Sequence, residues 1–79
     1  MSSNNPVGIV IHIKQQLEQE HIVNLETSLK GDEGVKEARI NRRRSHLMLV
    51  DYLPGVITAR QVINYIQNKG YNAVLVGWI

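Results

Sequence analysis

The 79-residue sequence predicts an α+β sandwich in the order βαββαβ, a four-stranded antiparallel sheet with two helices on one face. Three observations predict it. Residues 7–14 alternate in apolar character with a period of two. Two later stretches repeat their apolar residues at three- and four-residue spacing. Turn-forming glycine and proline stand between the periodic segments.

The first strand runs over residues 7–14, with Ile9, Ile11 and Ile13 pointing one way and Val10, His12 and Lys14 the other. Residues 15–19 read as a polar loop. From about Glu20 to Lys30, Ile22, Leu25 and Leu29 line one helix face, and Gly31-Asp32-Glu33-Gly34 stops that helix. Residues 35–41 form a second strand with apolar Val35, Ala38 and Ile40, whose uneven spacing leaves its register open. Arg42-Arg43-Arg44 makes a basic hairpin tip, and residues 46–52 a third strand. Leu53-Pro54-Gly55 is a turn, since proline fixes one dihedral and glycine frees the next. Thr58-Ala59-Arg60-Gln61 fits a capping box opening a helix that buries Val62, Ile63 and Ile66 and ends at Lys69-Gly70. Residues 71–79 form the last strand.

Composition narrows the function classes. The length allows one domain, read as residues 7–79 behind a polar leader over residues 1–6; whether that domain stands alone or is cut from a larger chain is open. The chain has no cysteine, hence no disulfide and no thiolate metal site. A hydrophobic content of 43% suits a globular domain, and a net charge of +2 does not by itself imply a polyanion. The leader lacks the basic stretch and apolar run of a secretion signal, and no apolar run is long enough to span a membrane, so a cytoplasmic protein with no membrane partner is expected.

Four motifs then stand in order: Gly34-Val35 opening the second strand, Val50-Asp51-Tyr52 closing the third, Thr58 with the helix after it, and Asn68-Lys69-Gly70-Tyr71-Asn72-Ala73. In this order and spacing the chain resembles the heavy-metal-associated domains, the family of copper chaperones, mercury-binding proteins and metal-pump N-terminal domains. The resemblance covers roughly residues 7–76 and implies a ferredoxin-like fold. Counting back from Leu25, which matches the family's buried helix-one position, it puts Glu18 and His21 on the family's two metal cysteines and Gln16 where methionine is usual. Without sulfur, Cu(I) affinity collapses, so copper trafficking is not implied.

Glu18 and His21 are three apart and face the same way on a helix or tight turn. A carboxylate and an imidazole suit Zn(II), Ni(II), Co(II) or Cu(II), not Cu(I). His46, of the same parity as Met48, Val50 and Tyr52, is a candidate third ligand; Glu20 is a fallback donor, and His12 is set aside by its opposite parity. Against this stands a thin ligand set near the positive Arg42, Arg43, Arg44, Lys69 and Lys14, so a degenerate site is a strong rival.

A second reading is a protein-interaction or homodimerisation module. The face of the sheet away from the helices gathers Val10, His12, Leu47, Leu49, Val74, Val76 and Trp78, more apolar than an open antiparallel face usually is. Arg42, Arg43, Arg44 and Lys69 could meet a small anion or acidic partner. RNA binding is not expected: readers of this fold stack bases on central-strand aromatics, and the first and third strands offer none on that face. Nor is catalysis expected, since no nucleophile–base–orienter set is present and Ser45 and His46, adjacent on a strand, point to opposite faces.

Overall fold

The computed structural model describes residues 5–44 and 46–79. Ser45 and the first four residues of the expected leader lie outside the described residues. The elements are β1 (Val7–Ile13), α1 (Gln19–Lys30), β2 (Val35–Ile40), β3 (Leu47–Tyr52), α2 (Ala59–Asn68) and β4 (Ala73–Trp78). The four strands make one antiparallel sheet in the order β2-β3-β1-β4, so β3 and β1 are central and β2 and β4 are edges. This is the expected ferredoxin-like topology.

The core lies between the sheet and the helices. Ile9, Ile11 and Ile13 of β1 and Met48, Val50 and Tyr52 of β3 share its floor, because residues directly opposite on antiparallel strands point the same way. Ile22, Leu25 and Leu29 of α1 and Val62 and Ile66 of α2 close it from above, with Ile63 only half-buried at its margin. Leu17 and Ile57, both inside segments that read as loops, are also buried and pin those loops to the core. The Thr58 capping box forms in full: Gln61 N–H donates to Thr58 Oγ1 at 3.1 Å, and the Gln61 side-chain oxygen accepts from Thr58 N–H at 2.9 Å. Gly70 takes φ of +99° just past α2, the left-handed geometry that favours glycine.

Two register shifts decide which side chains face where. In β2 the pairing slips between Val35 and Glu37, leaving Lys36 as the extra residue. Val35, Ala38 and Ile40 therefore all point into the core, despite spacings of three and then two. In the β1–β4 pairing the slip falls between Val10 and Ile11, with Val10 opposite Gly77, Ile11 opposite Leu75, and Val76 the extra residue. Beyond it, Trp78 stands opposite Ile9, whose side chain faces the helices. The expected open-face position of Trp78 is thus corrected: a shift of one residue transfers everything beyond it to the other face. The Trp78 ring accordingly lies 6.3 Å from that of core residue Tyr52.

Candidate functional site

The loop after β1 is held from two sides. Leu17 is buried beneath it, and Gln15 bridges it to the α2–β4 turn, donating from its amide nitrogen to Gly70 O at 3.2 Å while its oxygen accepts from Asn72 N–H. Lys14 N–H donates to Asn72 O at 2.8 Å. Nothing in the sequence singled out Gln15; its role needs the turn at residues 70–72 brought beside it.

Glu18 is the N-cap of α1, in extended backbone geometry, and its carboxylate makes no capping hydrogen bond. His21 sits one turn on, exposed, its ring edge-on to Tyr71 at 6.4 Å between centres. Glu20 is exposed in the same turn.

His46 goes elsewhere. Its ring lies 6.0 Å from that of His12, and its Nδ1 is 3.1 Å from the carbonyl of Ile13. A carbonyl only accepts, so Nδ1 carries the proton in this contact. The structure thus brings together His12 and His46, the first of which parity had set aside. Among the described residues no group of three His, Cys, Asp or Glu could hold a metal ion.

The basic residues are divided. Arg42 pairs with Glu26 of α1 at 3.2 Å, and the other oxygen of that carboxylate accepts from Ile40 N–H at 2.7 Å. Glu26, unremarked in the sequence, therefore takes the terminal backbone donor of the β2 edge. The Asn41 side chain accepts from Arg43 N–H and Arg44 N–H at 2.8 and 2.9 Å, shaping the hairpin tip and leaving both guanidinium groups exposed. The Lys69 ammonium rests over the Tyr65 ring, 5.4 Å from its centre.

On the open face, Val10 and Leu47 are half-buried and Leu49 is exposed, with Glu37 and Arg39 beside them from β2. Glu37 bonds Lys30 at 3.3 Å and Arg39 at 3.4 Å; Lys30 first, then Arg39, holds its carboxyl below the ordinary value of 4.5. The largest apolar exposure lies on β4 and the residue after it: Leu75, Val76, Trp78 and Ile79 are 40–76% exposed. A groove of about 400 Å³ runs along this edge, lined by Ala59, Ile63, Ala73 and Leu75 among others.

No protein-family model matches the chain, and no curated protein matches it in sequence. Solved structures do match in shape. The N-terminal domain of a potential copper-translocating P-type ATPase from Bacillus subtilis, in its Cu(I)-loaded state, superposes with a TM-score of 0.83 at 20% identity, over 94% of this chain and 91% of that one. The CopZ metallochaperone gives 0.75 at 19% identity, over 85% and 98%. Oxidized MerP from Ralstonia metallidurans CH34 gives 0.76 at 9% identity, over 87% and 94%. The chain thus has the fold of the heavy-metal-associated domains, and it has that fold without cysteine.

Proposed function

We propose that this chain is a non-enzymatic binding domain that keeps the heavy-metal-associated fold and works by protein recognition, its first partner being a second copy of itself across β4. The observation that carries this reading is the contrast between the two sheet edges. The β2 edge carries the charged Lys36, Glu37 and Arg39, and the Glu26 carboxylate takes its terminal donor, Ile40 N–H. The β4 edge, Ala73–Trp78, has no charge and no proline and exposes most of its apolar side chains. An apolar, uncharged edge is a template for another strand, and here the regular stretch it offers is Ala73–Leu75, before the bulge at Val76. Two copies related by a twofold axis would pair β4 with β4 antiparallel, the same patch serving both sides. Val74, Val76 and Trp78 would then be shared contacts, Leu75 and Trp78 on the helix side of the sheet, with Val10, His12, Leu47 and Leu49 extending the surface on the other. Arg43 and Arg44, exposed at the hairpin tip, suit acidic groups on a further partner.

Sedimentation equilibrium tests this. The unmodified protein is expected to sediment as a concentration-dependent dimer and Val76→Lys as a monomer with the same circular dichroism. A monomer for both at about 1 mM, a concentration at which even weak pairs form, would sink the proposal.

A second reading is a non-thiolate divalent metal role at Glu18 and His21, the positions matching the lost cysteines. The uncommitted Glu18 carboxylate, one turn from an exposed His21, favours it. Zn(II), Ni(II), Co(II) or Cu(II) is the chemistry those donors suit. Unchanged divalent metal binding in His21→Ala would remove this reading.

A further inference from the structure

We infer that His12 and His46 form a divalent transition-metal site where the end of β1 meets the start of the β3 hairpin arm, separate from the loop that carries Glu18 and His21. The two rings come from different elements, His12 from central strand β1 and His46 from the start of the β3 hairpin arm, 34 residues later in the chain, counting 46 minus 12. Their centres are 6.0 Å apart. An ion bound about 2.0–2.1 Å from an imidazole nitrogen lies roughly 3 Å from the ring centre, so one ion spans two rings whose centres are up to roughly 6 Å apart. The observed separation sits at that limit.

His46 is also prepared as a ligand. Its backbone carbonyl accepts from Ile13 N–H at 2.7 Å, extending the β1–β3 ladder by one rung. Its Nδ1–H points to the Ile13 carbonyl at 3.1 Å. In the neutral ring that leaves Nε2 as the lone-pair donor, and a backbone carbonyl on the second ring nitrogen is a support that metal-binding histidines typically have. His12 is held on its strand between Leu47 on one side and Val74 on the other. Two imidazoles with water completing the shell suit Cu(II) most strongly, with Ni(II) and Zn(II) weaker, following the usual affinity order. Lys14 and Arg44, each two residues from a ligand in sequence, temper the attraction for a cation and so favour the metals that bind nitrogen most tightly.

The test titrates the metal-free protein with Zn(II), following the three histidine rings by NMR, and with Cu(II), following nitrogen hyperfine structure by electron paramagnetic resonance. The His12 and His46 rings are expected to respond together and saturate at one ion per chain. His12→Gln, at a half-buried position, and His46→Gln, at an exposed one, should each weaken binding at least tenfold, the low end for losing a ligand or its support. His21→Ala should leave it unchanged. The response should persist in Val76→Lys, which separates this site from the β4 pairing. Saturation of the His21 ring alone, loss of the response in Val76→Lys, or no saturable shift by about 1 mM metal, a limit set by the weakest specific affinities, would each overturn the inference.

Discussion

Gly34 has no room for a side chain. A Cβ there would stand 2.7 Å from Ile57 Cβ and 3.2 Å from Val56 Cγ1. Its amide donates to the Asp32 carboxylate at 2.8 Å and its carbonyl accepts from Leu53 N–H at 2.8 Å, so the backbone has no freedom to retreat. Gly34→Ala is expected to destabilise the fold by about 1–3 kcal/mol, the usual range for overpacking, as read by urea unfolding. A change under a few tenths would mean that Ile57 moves aside. Tyr52 offers a pH test. Burial pushes its phenol above the ordinary value of 10.0. In the unfolded chain the same phenol ionises first, so stability is whole below about pH 10 and declines as pH rises from there through the folded value. Ultraviolet titration of Tyr52→Phe should lack the ionisation step that lies above the ordinary range. Glu37 has the opposite sign: its stabilising pairing with Lys30 and Arg39 holds above the ordinary carboxylate value and fades as pH falls through the lowered one.

The two helices start by different means. The Thr58 box satisfies backbone donors at the start of α2. Thr58→Ala should cost about 1 kcal/mol, lowering the melting temperature by roughly 4–8 °C for a domain of this size. Glu18 at the start of α1 makes no such bond, so Glu18→Ala should leave the melting temperature nearly unchanged. Calorimetry on the pair checks both. The capping box was legible in four consecutive residues because it is local chemistry. The two β-bulges were half legible. The uneven Val35, Ala38, Ile40 spacing is the mark of the first, since its apolar residues declare it. The second lies among the apolar residues of β4, where every register looks alike to the pattern, so the position of Trp78 followed only from the pairing with β1.

At the scale of the molecule, the two sheet edges differ in charge: β2 carries Lys36, Glu37 and Arg39, and β4 carries none. If β4 pairs with its copy, the native state is linked to protein concentration, and the melting temperature should rise with concentration in the unmodified chain and stay flat in Val76→Lys. A flat response in both would agree with a monomer and return attention to hetero-partners. No helix among the described residues is long and apolar enough to cross a membrane.

The sequence by itself determined the order of elements, the core faces of β1, β3 and both helices, the caps and turns, and the absence of thiolate chemistry. Each is written in local periodicity or in a residue type, and neither depends on what lies opposite. The tertiary structure alone decided that Glu26 caps Ile40 N–H at the end of the β2 edge, that Gln15 ties the first loop to residues 70–72, that Trp78 turns to the helix side, and that His46 meets His12. Those outcomes depend on register and on partners distant in the chain, and a one-residue shift in pairing moves a side chain across the sheet without changing a letter of the pattern.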